Sequence, residues 1–218
     1  MNRPILILSF TLFIVMVGFG IIIPIMPFYV TSLGASSFDL GLLMSTFSLV
    51  QFIFAPFWGN LSDRIGRKPL IAIGLVGYII SYLIVASASA VWMLFVGRIM
   101  GGMLSSATLP TAQAYVADTT SIKERGGGMG MLGAAMGLGM VFGPGIGGML
   151  STFGLAAPFL FAAGLAALNL VFVLAFLPEP KRAPVPLAEQ RRPSQLTMLA
   201  QALGGPLAFI FVTAFLVS

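Results

Sequence analysis

Charged side chains are rare in this sequence, and four of them lie close together. The 218 residues include 11 Lys and Arg and six Asp and Glu, and four of these fall within the segment GNLSDRIGRKPL, residues 59–70. An acid beside helix ends can accept backbone N–H groups and pair with arginine, which holds two elements together. We therefore expect a tight turn that acts as a charged latch, in which Gly59 ends one helix and Pro69 opens the next. The candidate residues of this latch are Gly59, Asp63, Arg64, Gly66, Arg67 and Lys68.

Arg98 is the charged residue that lies deepest in an apolar segment, seven positions after Val91. A charge inside a membrane costs at least about 2.5 kcal/mol and usually has a function. Gly101, Gly102 and the small residues 105–107 follow Arg98, and they allow a neighbouring helix to come close. The alternative is that the long side chain of Arg98 reaches the outer surface of the membrane. The sequence leaves both interpretations open.

Glycine is concentrated in one later segment, which holds 11 of the 26 glycines between Gly126 and Gly148. Gly139, Gly143 and Gly147 recur every four residues, so they share one helix face on which a partner helix can pack at backbone distance. Pro144 leaves the carbonyl four residues earlier unpaired and predicts a kink that could serve as a hinge. The alternative is tight packing without any role in selectivity.

The composition is that of an integral membrane protein. Hydrophobic residues make up 58% of the chain and charged residues 8%, whereas soluble domains carry about 25% charged residues. The formal charge of +5 does not predict nucleic-acid binding, because the bases lie in short clusters between apolar runs. The sequence has no Cys, no His, no nucleophile–base pair and no phosphate-binding loop. We therefore expect neither an enzyme, a cofactor, a metal site nor a nucleic-acid partner.

Apolar runs of about 20 residues predict membrane helices, and this sequence has six. A seventh run begins near Gly204 and is still apolar at Ser218. We expect an all-α integral membrane protein with an N-terminal six-span unit at residues 1–177, a proline-rich cytoplasmic linker at 178–203 and the start of span seven at 204–218. The first run is interpreted as an uncleaved span rather than a signal peptide. The six predicted spans are residues 4–30, 40–58, 70–88, 91–116, 129–150 and 156–177.

The basic residues predict the orientation of these spans. If the N-terminus is cytoplasmic, every Lys and Arg other than Arg98 lies on the cytoplasmic side, as the positive-inside rule requires. We therefore expect a multi-pass protein of the cell (plasma or inner) membrane with a cytoplasmic N-terminus. The cytoplasmic bases are Arg3, Arg64, Arg67, Lys68, Lys123, Arg125, Lys181, Arg182, Arg191 and Arg192.

Several of these patterns resemble motifs of one transporter family. The pattern from Gly59 to Lys68, G-x-x-x-D-R-x-G-R-K, resembles the signature between spans two and three of the Major Facilitator Superfamily. Arg98-x-x-x-Gly102 resembles the span-four motif of that family. The span-one segment GFGIIIPIMPFY resembles the start of its drug exporters with twelve spans. The glycine segment resembles the antiporter motif of span five, through Gly139, Gly143, Pro144, Gly147 and Gly148.

The resemblance implies a fold and roles for these residues. It implies the N-terminal six-helix bundle of the Major Facilitator fold, followed by the start of a seventh span and by a C-terminal six-span half as its partner. The charged segment would be a cytoplasmic gate, and Arg98 would take part in proton coupling by biasing the protonation of a membrane acid. The six spans contain no Asp or Glu in their interior. The titrating carboxylate is therefore expected in the C-terminal half.

The leading functional hypothesis is proton-coupled export of amphipathic drugs by alternating access, as in bacterial multidrug and tetracycline exporters. A sugar or metabolite exporter of the same superfamily is the first alternative, and a transport-dead half protein with a regulatory or scaffold role is the second. The expected partners are the lipid bilayer, protons and a small-molecule substrate. Methionine and phenylalanine suit an adaptable apolar pocket. The polar candidates for the substrate cavity are Gln51, Thr108, Gln113 and Tyr115.

Overall fold

The computed structural model describes residues 3–180, and this part of the chain consists of helices joined by short connections. Six helical stretches are long and apolar enough to cross a membrane, which confirms the predicted all-α membrane fold. α4 and α5 together make the fourth stretch. Most of the predicted linker and the start of span seven lie outside the described residues. The helices are α1 (Arg3–Ser32), α2 (Ser37–Ile65), α3 (Arg67–Ala86), α4 (Val91–Ser105), α5 (Thr108–Thr119), α6 (Ile122–Ser151) and α7 (Ala157–Phe176).

Two helices begin in polar capping boxes that precede their apolar runs. At the start of α2, the Asp39 N–H donates to Ser36 Oγ (3.3 Å), and the Ser36 N–H donates to Asp39 Oδ2 (2.8 Å). Ser121 and Glu124 form the same arrangement at the start of α6. Such boxes satisfy N–H groups that have no partner inside the helix. These helices are therefore longer than their apolar runs predicted.

The charged segment is not the turn that the sequence predicted. α2 continues past Gly59 to Ile65, and α3 begins at Arg67, so Gly66 is the single residue between the two helices. The predicted helix ends at Gly59 and Pro69 were therefore wrong. Polar side chains continue a helix readily once it has left the apolar layer. Gly66 has φ +120°, which a residue with a Cβ rarely adopts, and it allows the abrupt reversal.

Span four is broken in the middle, between α4 and α5, where the sequence predicted a continuous helix. Pro110 has no N–H, and its ring clashes with the carbonyl four residues earlier, which interrupts the helix. The break leaves carbonyl groups without helical partners. Trp58 Nε1 donates to the Met103 carbonyl (2.5 Å), and Ser106 Oγ donates to the same carbonyl (2.8 Å). The Trp58 indole on α2 thus supplies the Met103 carbonyl with a hydrogen-bond donor, which lipid could not do.

Glycines bring α1 and α6 together at backbone distance. A Cβ built on Gly143 would lie 2.7 Å from the Cα of Gly20, and one built on Gly139 would lie 2.6 Å from the Phe13 carbonyl oxygen. A Cβ built on Gly147 would likewise lie 3.2 Å from the Cα of Ile21 on α1. Any larger side chain on this face would force the two helices apart. The α6 face that carries a glycine every four residues is therefore the face that α1 covers.

A second close contact joins α3 to the two halves of span four. A Cβ on Gly74 would overlap Thr108 of α5, and one on Gly77 would overlap Leu104 of α4. Ser81 of α3 donates its hydroxyl to the Gly97 carbonyl at 2.8 Å. Small residues on both helices allow this approach, and interhelical hydrogen bonds strengthen it. Close packing was predicted from the sequence at the glycines of α4 but not at those of α3.

The first prediction uses two glycines that flank Pro144 on α6. Gly143→Ala should lower the free energy of unfolding by about 1–3 kcal/mol, because its Cβ meets the backbone of α1. Gly145 faces open space, so Gly145→Ala should be neutral or slightly stabilising through its helix propensity. Thermal unfolding of the two purified variants in detergent measures the difference. Equal melting temperatures would show that α1 and α6 are not packed at this distance.

Candidate functional site

Arg67, the first residue of α3, is the centre of a charged cluster. Its Nη1 lies 2.7 Å from Asp63 Oδ1 of α2, and its Nε donates to Asp118 Oδ2 of α5 at 2.8 Å. Nη1 also donates to Ser62 Oγ. The Arg67 side chain is 10% exposed, whereas the two carboxylates are 53% and 32% exposed. One guanidinium therefore links three helices at the predicted cytoplasmic end of the bundle.

The first turn of α3 is capped by a residue from beyond α7. Glu179 accepts the N–H of Arg67 at 2.6 Å through Oε1 and the N–H of Lys68 at 3.0 Å through Oε2. Gly66, which precedes the helix, has no side chain to cap it, and a Cβ there would lie 2.9 Å from Glu179 Oε1. The sequence assigned backbone capping to the acid of the charged segment, Asp63. The carboxylate found on these N–H groups is instead that of Glu179.

The other residues of the predicted latch have simpler surroundings. Lys68 Nζ donates to the Leu174 carbonyl near the end of α7, at 2.7 Å. Arg64 is exposed in the last turn of α2. Gly59 lies inside α2, and a Cβ there would meet no atom within 4 Å. Packing within the described residues therefore does not require glycine at position 59.

Arg98 is buried inside the bundle, with 2% of its surface exposed. Its guanidinium carbon lies 5.4 Å from the centre of the Phe47 ring, a cation–π distance. Within the part of the chain that the structure describes, its Nε and Nη2 have no hydrogen-bond partner. The side chain does not reach the surface of the bundle, which was the alternative left open by the sequence. A buried charge without a counter-charge is costly.

The antiporter-like motif of α6 divides between two helix faces. Gly139, Gly143 and Gly147 are buried against α1, whereas Pro144 and Gly148 are exposed. Both faces belong to one uninterrupted helix that continues to Ser151. The motif can therefore contact two different neighbours at once.

The four cavity candidates lie in different environments. Thr108 is buried against Gly74 of α3. Tyr115 is buried as well, and its hydroxyl donates to the Pro178 carbonyl at 2.7 Å. Gln51 is half-buried and Gln113 is exposed. Polar character alone does not distinguish a cavity face from a helix–helix contact, so the sequence grouped residues that the fold separates. Within residues 3–180, no three acidic residues form a group that could hold a metal ion.

Comparisons with known proteins agree on one family. The Major Facilitator Superfamily profile matches residues 8–218. The quinolone resistance protein NorA of Staphylococcus aureus is 32% identical over 199 residues, which are 91% of this chain and 51% of that protein. Multidrug resistance protein 2 of Bacillus subtilis is 38% identical over 172 residues, 78% of this chain and 43% of that protein. The chain thus spans about half the length of the curated relatives it matches.

Two solved structures show the same fold. The human organic anion transporter MFSD10 (TETRAN) is 29% identical, with a TM-score of 0.72 over 84% of this chain and 50% of that one. A bacterial homolog of the human lysosomal transporter Spinster, in an inward-facing and unoccupied conformation, has a TM-score of 0.79 at 16% identity. That match covers 94% of this chain and 50% of the bacterial one, and at this identity it bears on the fold alone.

The second prediction concerns the two arginines of the charged segment. Lysine cannot span two carboxylates as a guanidinium does, so Arg67→Lys should lower the free energy of unfolding by about 1–3 kcal/mol. Arg64→Lys is the matched control, because Arg64 lies in the same segment and is exposed in the last turn of α2. Its melting temperature should stay within about one degree of the parent's. A similar loss in both variants would mean that Arg67 does not hold the three helices together.

Proposed function

The chain belongs to the Major Facilitator Superfamily, and on that basis we propose that it forms the N-terminal half of a proton-coupled exporter of amphipathic drugs. The observation that carries the proposal is the pair of arginines. Arg67 is held by carboxylates at one end of the bundle, whereas Arg98 is buried and its Nε and Nη2 have no hydrogen-bond partner among the described residues. The first arrangement suits a gate between two conformations. The second suits a charge that pairs with different groups in turn.

The gate works through the cluster around Arg67. Its guanidinium binds Asp63 of α2 and Asp118 of α5, so the ends of three helices move together while these ion pairs hold. Partly buried ion pairs of this kind are discrete contacts that are either made or broken. Asp63 is half-exposed and lies at the edge of the cluster, where a second six-span half could compete for it. Exchange of partners there would open or close the cytoplasmic side.

Proton coupling uses Arg98 and a carboxylate of the second half. The acids of the described chain lie at helix ends, and none lies in a span interior. An ionised carboxylate brought beside Arg98 is stabilised by its charge, and a protonated one is not. Binding of a proton would therefore release the two halves from each other. Only a difference in affinity between the two conformations can drive the cycle in this way.

The relatives support the proposed cargo class. A quinolone resistance protein and a multidrug resistance protein match most of this chain at 32% and 38% identity. Drugs of the multidrug type are amphipathic and cationic or amphoteric, and the partly exposed phenylalanines and methionines of the bundle suit such molecules. α2 and α6 bury the smallest share of their spans within the described unit. Their outer faces are the ones that a second half would cover.

The membrane orientation is part of the proposal. The charged cluster joins the start of α3, the end of α5 and the residues after α7, which lie at one end of the bundle. The basic residues outside the spans fall on that side in the sequence, and positive residues favour the cytoplasm. We place the N-terminus in the cytoplasm and the protein in the cell (plasma or inner) membrane. Reading the gene beyond Ser218 identifies the second half, and a stop codon there would favour a regulatory half protein instead.

The third prediction tests the assigned roles in cells that carry the full gene. Asp63→Asn and Arg98→Ala should each lower the rate of drug export at least about tenfold, because each removes a charge from a buried or bridging position. Asp39→Asn is the matched control, since Asp39 only caps α2 at the opposite end. Fluorescent-substrate efflux, at equal protein levels, gives the rates. Undiminished efflux in both variants would remove the gate and coupling roles.

A second candidate function is export of organic anions. The observation in its favour is Arg98, whose Nε and Nη2 have no partner among the described residues and could bind a carboxylate of the cargo itself. The solved relative at 29% identity is an organic anion transporter. Such a carboxylate would replace the acid of the second half as the partner of Arg98.

The fourth prediction separates the two candidates by their cargo. If Arg98 serves proton coupling, Arg98→Ala should reduce the export of a permanent cation and of a carboxylate-bearing drug equally. If Arg98 binds the cargo, the same variant should spare the cation and reduce carboxylate export about tenfold or more, through the Michaelis constant. Proteoliposome uptake of two such compounds, with Arg98→Lys as the charge-retaining control, measures both.

A further inference from the structure

The residues that follow α7 are a packed part of the six-helix unit. The sequence predicted a linker from residue 178 onward. In the structure, Leu177 is 1% exposed and Pro180 is buried, so the chain turns back onto the bundle before it continues. The Leu177 N–H donates to the Val173 carbonyl at 3.0 Å, which ends α7 in an ordered turn. We name residues 177–180 the clasp.

Hydrogen bonds fasten the clasp to two other helices. Glu179 accepts the backbone N–H groups of Arg67 and Lys68 at the start of α3. The Tyr115 hydroxyl of α5 donates to the Pro178 carbonyl at 2.7 Å, and Tyr115 is buried. The clasp is thus bonded to α3 through the Glu179 carboxylate and to α5 through the Pro178 carbonyl.

Capping of α3 by Glu179 differs from the other caps in this chain. α2 and α6 are capped by residues three positions away, in Ser36–Asp39 and Ser121–Glu124. The residue before α3 is Gly66, which offers no side chain, and the cap comes from 112 positions away. A local cap only completes its own helix. A cap from this distance also ties the start of α3 to the chain that leaves α7.

The clasp and the charged cluster meet at one residue. Glu179 holds the backbone N–H of Arg67 at 2.6 Å, and the guanidinium of the same residue bridges Asp63 and Asp118. Whether the Arg67 guanidinium reaches both carboxylates depends on the position of the Arg67 backbone. A displacement of the clasp therefore acts on the ion pairs through a single residue.

We propose that Glu179 is a positioning residue for the gate, and that the clasp couples the chain leaving α7 to the Arg67 cluster. While Glu179 is bound, Arg67 stays between its two carboxylates. When Glu179 leaves, the first turn of α3 loses its cap and the guanidinium is free to change partners. This inference rests on the proposed gating function. It adds that the clasp acts on the gate through Glu179.

The fifth prediction is tested first by amide hydrogen exchange, which needs no cargo. In the full-length protein in detergent or nanodiscs, Glu179→Gln should speed the exchange of the Arg67 and Lys68 amides about tenfold or more, because their bonds to a charged acceptor are lost. Glu179→Asp should give an intermediate rate. Glu124→Gln is the matched control, a glutamate that caps α6 locally, and it should leave these two amides unchanged.

A double-mutant cycle on turnover then separates positioning from simple stabilisation. Glu179→Gln and Asp118→Asn should each lower the maximal export rate about fivefold to tenfold with little change in the Michaelis constant. If both act through Arg67, the double variant should be no slower than the worse single variant. Glu124→Gln with Asp118→Asn should combine multiplicatively.

Each outcome decides between the claims. Unchanged amide exchange at Arg67 and Lys68 in Glu179→Gln overturns the clasp. If exchange is faster but the effects of Glu179→Gln and Asp118→Asn on the export rate multiply, Glu179 is only a helix cap and does not act on the gate. A parent protein that exports neither a permanent cation nor a carboxylate-bearing drug overturns the proposed function, whereas the exchange data still test the clasp. If Glu179→Gln does not fold, Tyr115→Phe replaces it, since it removes only the bond to Pro178 and should change both readouts in the same direction.

Discussion

The absence of hydrogen-bond partners in hydrocarbon is the constraint on which this structure depends. Each polar group within a span must find a partner in the protein, so the described chain is helical and its side chains bond across helices. Thr11 and Asn169 bond between α1 and α7, and Trp58 covers the break in span four. The exceptions are informative. Of the six residues with buried unpartnered side-chain atoms within the described part, five belong to spans three and four, and Arg98 is the one that carries a charge.

The same constraint explains how much of the fold the sequence predicted. A membrane of fixed thickness requires apolar runs of about 20 residues, so the six spans were evident from hydropathy. Their ends were not, because outside the apolar layer a helix continues or stops according to capping, as α2 does when it extends to Ile65. The break in span four was missed although Pro110 signalled it, since the apolar run is continuous across Ser106 and Ala107.

The site was predicted only where its contacts are local in sequence. Asp63 and Arg67 lie four positions apart, and their charges identified them at once. Asp118 and Glu179 come from 51 and 112 positions away, so only helix packing brings them to Arg67. Charge distribution did place all four at the same end of the bundle. Thr108 and Tyr115 were assigned to a cavity because a polar residue on a membrane helix signals a partner without identifying which neighbour supplies it.

Arg67 and Arg98 are in opposite electrostatic states. Arg67 has two carboxylates and a hydroxyl, all from the same six helices, so its energy changes only if one of these bonds breaks. Among the described residues, Arg98 has an aromatic ring as its neighbour but no hydrogen-bond partner for Nε and Nη2, in a region of low dielectric constant where a missing counter-charge costs far more than at the surface. A carboxylate placed beside Arg98 would therefore lower its energy substantially. In the proposed transporter, the driving free energy thus enters at Arg98, and the Arg67 cluster holds whichever conformation results until its own bonds are exchanged.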